Sequence, residues 1–382
     1  MRIVIIGAGV LGASAAFHLV RTGAEVTVIE AHLDGRATAA GAGIICPWVS
    51  GVEDAAFYRL YTAAGEYYPD LIAALSKAGE TDLGYRRAGA MLVSPDAREL
   101  DWTERSTRQR AAAGMGEVSR LSAHQAQARF PPLRQGLGAV HVAGGARVDG
   151  RRLSAALLRA AGSFGATILQ GHAALAVEAG RVAGVDVEGV DVGGERIRAS
   201  RVIVTAGARA DQVLGRFGLV QPVEPQRGQI VHLRLEHRQT EDWPVILPPG
   251  SHYIVPFDGG RIVAGATREG VGFDYRVTAV GQMEVLSEAL RIAPGLAEAT
   301  MIETRVGFRP VGPGVRPLLG WVRGIEGLAV GNGLGAAGLT IGPFAGRLLA
   351  DLVTGQGGLL DLAPFDPMQR TASTAGALDA LR

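Results

Sequence analysis

The chain has 382 residues, enough for one large core or two, and 38 Lys and Arg against 37 Asp and Glu give a formal charge of +1. No basic stripe of the kind nucleic-acid binding needs is present, and no apolar run reaches the roughly 18 residues of a membrane-spanning helix. A lone Cys46 excludes an intramolecular disulfide framework and fits a reducing, cytoplasmic setting.

Ile3-Val4-Ile5-Ile6 is a wholly apolar run of the kind that fills the centre of a parallel sheet. Because the chain opens directly on this strand, no secretory leader is expected. Gly7, Gly9 and Gly12 follow as G-x-G-x-x-G. The first glycine permits a tight turn, the second lets backbone approach a pyrophosphate, and the third lets the next helix pack on the strand. That helix, with Val10 and Leu11 in its first turn, offers free N–H groups to phosphates. Glu25 to Ile29 reads as a second strand, ending on Glu30, which lies 23 residues after Gly7. A carboxylate at this distance accepts hydrogen bonds from an adenosine ribose and argues against a 2′-phosphate, but does not separate NAD from FAD.

Gly35 to Gly43 is a run of small residues suited to backbone laid against a ligand. Ala55 to Lys77 restores helical periodicity, with Pro69 inside it. From Tyr85 the pattern changes to short strands, at Ala88 to Val93 and Gly138 to Val142, with helical stretches from Glu99 to Ala113 and Ser122 to Arg129. Asp149 is an N-cap residue for a helix from Arg151 to Ser163. A strand at Thr167 to Leu169 and a hairpin from Ala174 to Val187 follow, Val177 being a candidate for backbone contact with an adenine. Arg201 to Ala208 reads as a central strand that runs into a glycine turn at Ala206 and Gly207.

Strands at Gln229 to Leu235, Ser251 to Pro256 and Gly260 to Ala266 precede a helix from Ala279 to Ile292. Glu303 to Pro310 reads as a strand whose period of two puts Arg305 and Arg309 on one face. The last unit is a strand at Leu328 to Val330, a glycine segment, and a helix from near Ile341 to Val353. Its Gly333, Gly335 and Gly338 repeat the G-x-G-x-x-G pattern, yet no following strand ends in an acid, so a second independent nucleotide unit is rejected. Its helix N-terminus still aims a positive dipole at an electron-rich ligand.

The expected fold class is α/β: a Rossmann-like dinucleotide domain plus a substrate domain with a mixed, mainly antiparallel sheet and flanking helices. The first is assigned residues 1–84, 145–220 and 305–370, the second 85–144 and 221–304, and a tail 371–382.

Five motifs in order resemble the FAD-dependent D-amino acid oxidase family, nearest in pattern to glycine oxidases and small D-amino acid dehydrogenases. They are Gly7 to Gly12 with Glu30; Gly35 to Gly41; His252 to Pro256 with Gly265-Ala266-Thr267; Arg305 to Pro310; and Gly331 through Pro343. The resemblance implies one extended, non-covalent FAD. Its pyrophosphate would lie at Gly7 to Gly12 and its ribose on Glu30. Arg36, Ala37, Thr38, Ala39, Ala40, Gly41 and Gly43 would line its middle, while Gly333, Gly335, Ala336, Ala337, Gly338, Leu339 and Thr340 would face the pyrimidine end of the isoalloxazine. It further implies that Arg309 clamps a substrate carboxylate and that the Tyr253 hydroxyl bonds the same group. The C-terminal glycine segment lacks the arginine that glycine oxidases tend to place there, a departure that bears on a glycine-sized substrate.

The implied activity is oxidation of a primary or secondary amino acid (a D-amino acid, glycine or N-substituted glycine) by hydride transfer from its α carbon, the resulting imine then hydrolysing. Electrons pass to O2 with release of H2O2, or in the alternative to a quinone or other carrier. From another class, the chain would be a subunit with a structural flavin; an NAD-dependent dehydrogenase is the weakest reading. Expected partners are a small amino acid or amine, with a homo-oligomer left open and neither nucleic acid nor a transmembrane segment.

Overall fold

A computed structural model describes residues 1–110, 112–189, 193–219 and 222–368. The junction expected between residues 220 and 221 and the tail 371–382 lie outside the described residues. Arg2–Ile6 sits near the middle of a six-stranded sheet in the order Leu318–Trp321, Leu328–Asn332, Arg201–Val204, Arg2–Ile6, Glu25–Glu30, Thr167–Gln170. All neighbours pair in parallel except the edge strand Leu318–Trp321. The chain leaves Arg2–Ile6 for Glu25–Glu30 on one side, and Arg201–Val204 lies on the other. This arrangement opens a crevice at the carboxyl ends of the strands, where open α/β sheets bind ligands.

Helix Val10–Val20 is buried along its whole length against helices Gly338–Thr354 and Gly150–Ser163. Two glycines allow that approach: a Cβ on Gly346 would stand 2.5 Å from the Leu11 carbonyl oxygen, and one on Gly342 would stand 2.6 Å from the Val10 side chain. Pro343 inside Gly338–Thr354 has no N–H to give the Leu339 carbonyl one turn earlier. The Tyr68 hydroxyl, on the long helix Ala55–Lys77, donates to that oxygen instead. Asp149 caps Gly150–Ser163 as expected, its carboxylate accepting from Arg151 N at 3.0 Å and Arg152 N at 3.2 Å. Segment Gly335–Thr354 is long and apolar enough to cross a membrane, but 78% of its most apolar window is buried inside the molecule, as befits a core helix.

The second sheet has eight strands, in the order Thr300–Val311, Glu224–Arg234, Arg261–Gly265, Tyr253–Pro256, Val245–Leu247, Ala90–Ser94, Gly138–Val142, Val118–Leu121. One pair, Val245–Leu247 with Ala90–Ser94, is parallel and the rest are antiparallel. Helix Ala279–Ile292 and the short Ala123–Arg129 contribute to one apolar core of this sheet; a second core contains Trp48, Cys46 and Ile230. The boundary expected at residue 305 falls inside strand Thr300–Val311. This strand pairs along nearly its whole length with Glu224–Arg234, so residues 305–311 belong to the eight-stranded sheet. The hairpin expected from residue 174 is part of a three-stranded antiparallel sheet, completed by Gly193–Arg198.

Candidate active site

A cavity of ≈ 1580 Å³ runs from the carboxyl ends of the first sheet to the inner face of the second. Gly7, at φ +104°, makes the turn after the first strand; a Cβ there would stand 2.6 Å from the Thr205 carbonyl oxygen. The Thr205 hydroxyl donates to Gly7 O at 2.8 Å and to Ile6 O at 3.1 Å, fixing the turn from the neighbouring strand. Val10 N–H, in the first helical turn, donates to Thr38 Oγ1 at 3.0 Å. Glu30 Oε2 accepts from Ala8 N at 2.6 Å, and Oε1 from His32 N at 3.0 Å. Two backbone N–H groups thus hold this carboxylate at the end of its strand.

Gly7, Gly9, Val10, Leu11 and Glu30 all line the cavity. Gly12 does not. A Cβ on it would stand 2.0 Å from Gly7 O, so it serves helix–strand packing, the part its place in the pattern assigns.

Arg36, Ala37, Thr38, Ala39, Ala40, Gly41 and Gly43 form one wall. Arg151 Nε donates to Ala39 O at 3.0 Å and Arg305 Nη1 to the same oxygen at 3.4 Å, tying this wall to the helix and strand behind it. At Gly43, φ is +82° and a Cβ would overlap Val148 O at 1.7 Å. Ala206 and Gly207 line the opposite side, joined by Gly171, His172 and Ala173. Val177 does not reach the cavity. It pairs with Val182 four residues along the hairpin from Ala173, and a strand advances about 3.3 Å per residue. Gly335, Ala336, Ala337, Gly338 and Leu339 line the far end, where helix Gly338–Thr354 begins. Gly333 and Thr340 flank this lining without being part of it, and the Thr340 hydroxyl donates to Ile44 O at 2.9 Å.

On the eight-stranded sheet, Arg309, Arg305 and Tyr253 all line the same cavity. Arg309 Nη1 donates to Thr267 O at 3.0 Å and approaches Gln226 Oε1 at 3.5 Å. Its guanidinium rests on Gly228, where a Cβ would stand 2.6 Å from both Nη1 and Nη2. Arg305 is engaged by Glu303 and so faces the cavity as part of an ion pair. Burial pushes the Tyr253 hydroxyl above its ordinary value, with the neighbouring Arg309 and Arg268 pulling the other way. It therefore stays protonated at neutral pH. Trp48 and Cys46 are buried at the cavity wall, and burial pushes the Cys46 thiol up to about 12. Thr205, Arg268 and His172 went unassigned in the sequence. Thr205 had a signal, as a polar residue directly after an apolar strand, whereas Arg268 and His172 reach the cavity only through sheet register.

The residues fit an extended dinucleotide. Glycines permit the tight turn at Gly7 and the close packing at Gly12 and Gly43 that shape the cradle, two backbone N–H groups orient the Glu30 carboxylate at its strand end, and the N-termini of Val10–Val20 and Gly338–Thr354 open on the cavity.

Residues 2–352 match the FAD dependent oxidoreductase family (DAO). The chain is 49% identical to the oxidoreductase YurR of Bacillus subtilis over 95% of this chain and 98% of that one. It is 30% identical to a glycine oxidase of Pseudomonas aeruginosa over 97% and 99%. Among solved structures, the iminodiacetate oxidase of Chelativorans sp. BNC1 superposes with a TM-score of 0.92 at 52% identity, over 96% of this chain and 99% of that one. With a dinucleotide cradle and the arginines of the second sheet lining one cavity, and matches that span both sheets, the chain belongs to the FAD dependent oxidoreductase (DAO) family and is an FAD-dependent oxidoreductase acting on CH–NH groups of amino compounds.

Proposed function

We propose that this protein oxidises a small amino acid or N-substituted glycine and passes the electrons to O2. The observation that carries the reading is the position of Arg309 and Tyr253, both lining the cavity that begins at the Gly7 to Glu30 cradle. The matched glycine oxidase and iminodiacetate oxidase support it, because both are oxidases of compounds in which a carboxylate sits one carbon from an amine nitrogen. The six-stranded sheet serves as the cofactor layer and the eight-stranded sheet as the substrate layer.

Ala8 to Leu11, Glu30, Arg36 to Gly43 and Leu334 to Leu339 are the residues to hold FAD, non-covalently. Cys46, the one cysteine of the chain, is a poor tether, since burial keeps its thiol protonated. Bound FAD supplies the two-electron acceptor for the hydrogen on the substrate α carbon. Arg309 takes the substrate carboxylate in a planar, two-point grip, its guanidinium pre-set by Thr267 O and by the missing side chain at Gly228. Tyr253, protonated, donates to the same carboxylate. Trp48 and Ile230, both buried at the wall, keep water from the reacting carbon. The α hydrogen leaves with its electron pair, so alignment does the work that a side-chain base would do in proton abstraction. The N-terminal end of helix Gly338–Thr354, which opens on the cavity, would offer its positive dipole to the negative charge of reduced FAD. The imine then adds water and yields a 2-oxo acid and an amine.

The test is turnover of the purified holoenzyme on a panel of glycine, sarcosine, iminodiacetate and D- and L-amino acids, with O2 uptake and H2O2 followed together. Stoichiometric H2O2 with at least one of them is expected. Dye reduction without O2 uptake would contradict the oxidase assignment.

A further inference from the structure

Helix Gly338–Thr354 reaches the cavity through its first turn, and that turn lacks one internal hydrogen bond. Leu339 lines the cavity, and its side chain fills the space over two glycines: a Cβ on Gly41 would stand 2.6 Å from Leu339 Cδ1, and one on Gly150 3.0 Å from Cδ2. The Leu339 carbonyl would ordinarily accept from the N–H four residues on, but that residue is Pro343. The donor it finds instead is the hydroxyl of Tyr68, a fully buried side chain that does not line the cavity. The Tyr68 ring is stacked on Tyr85, with centroids 5.5 Å apart and 11° between the planes, which sets the direction of the hydroxyl. Burial holds that hydroxyl well above its ordinary value, so it keeps the proton it donates. Seven residues earlier, about two turns along the same face of Ala55–Lys77, Tyr61 lines the cavity with its hydroxyl beside that of Thr340. One face of this helix thus backs two successive residues of the turn.

We infer that Tyr68 is a positioning residue for the reaction: its hydroxyl replaces the helical N–H that Pro343 lacks and keeps the first turn of Gly338–Thr354 aligned on the cavity. The inference rests on the reading above in which this helix end faces FAD. The peptide whose carbonyl Tyr68 holds carries the Thr340 N–H on its other side, one of the donors that an α-helix leaves without an internal partner at its start. A donor on the carbonyl polarises that peptide along the helix axis and strengthens its positive end. Without it, an unpaired carbonyl oxygen would stand in the first turn and offset part of the positive potential. Tyr68 therefore acts through Leu339 on how strongly the site favours reduced over oxidised FAD.

The two-electron midpoint potential of the holoenzyme is measured by equilibration with a reference dye, beside a thermal melt and the FAD content. Tyr68→Phe removes one oxygen and keeps the ring. It is expected to shift the reduction equilibrium about three- to tenfold toward oxidised FAD, which is about 15 to 30 mV downward for a two-electron couple. Adding Pro343→Ala returns a helical N–H to the Leu339 carbonyl, so the double variant is expected to recover most of that shift. A purely structural tyrosine would lower the melting temperature and leave the potential where it was, and that result overturns the proposal. A double variant whose potential stays as low as that of Tyr68→Phe overturns it as well. Where Tyr68→Phe does not fold alone, the double variant must fold and keep the unsubstituted potential, and failure in either respect counts against the proposal. Ala336→Asp, which puts a carboxylate at the cavity end of the same helix, tests the underlying reading separately. An unmoved potential there defeats the placement of FAD, whereas a fall there with none in Tyr68→Phe defeats the role of Tyr68 alone.

Discussion

Gly228 is where the smallest side chain has the largest consequence for the site. Its missing Cβ leaves the space that the Arg309 guanidinium fills, and the atoms a methyl would meet are the far end of a flexible side chain. Gly228→Ala is therefore expected to leave thermal stability nearly unchanged while displacing the clamp. KM for the amino acid substrate should rise about tenfold, the scale of one lost charge-assisted hydrogen bond, with kcat affected less. Steady-state kinetics beside a thermal melt checks this; an unchanged KM with the fold intact contradicts the placement of Arg309. At this scale the sequence is legible where the steric demand is local. The turn at Gly7 and the carboxylate of Glu30 belong to one continuous strand–turn–helix–strand stretch, and its spacing announces them. Val177 and Arg268 are different. Whether either meets the cavity depends on strand register, which single-residue chemistry does not encode.

The strand Glu224–Arg234 shows how an element carries charge into the interior. His232 is buried, with neither ring nitrogen hydrogen-bonded. Burial, with Arg305 and Arg261 nearby, pushes it from 6.5 down to about 3, against the pull of Glu303 and Asp149. His18, buried in helix Val10–Val20, is pushed to about 3 by burial and by Arg347 and Arg21. In the unfolded chain both imidazoles take a proton near the ordinary value. Between that value and about 3 the unfolded state binds more protons, so acidification favours unfolding. Stability from the neutral imidazoles is complete above about pH 6.5 and erodes as pH falls toward 3. A melting temperature measured from pH 7 to pH 4 should fall, and His232→Leu should make the fall shallower while His18 keeps the remainder. An identical slope in the variant contradicts this. Two helices were among the most legible elements: Ala55–Lys77 follows from apolar periodicity, and Ala279–Ile292 stops before the breaker pair Pro294-Gly295. Short strands such as Val245–Leu247, with three residues and no period to read, were not.

Across the whole molecule, the order of the elements along the chain differs from their order in space. Residues 2–6, 201–204 and 328–332 meet in one sheet, and the cavity they open is closed by a second sheet drawn from the intervening segments. The α/β class and the two kinds of sheet were readable from a parallel-type apolar strand at one end and hairpin spacing in the middle. The assignment of 305–311 was not, because a strand with a basic face and a glycine fits either layer until its partner, Glu224–Arg234, is known. The distant glycine segment, Arg309 and the N-terminal cradle become one site only through this arrangement. Anaerobic mixing of the purified holoenzyme with iminodiacetate and a panel of D-, L- and N-substituted amino acids tests that joining most directly. Loss of the oxidised flavin absorbance with at least one of them, and slowed at least tenfold in Arg309→Met, is the expected result. A flavin that stays oxidised throughout the panel, or is reduced equally fast in Arg309→Met, would contradict it.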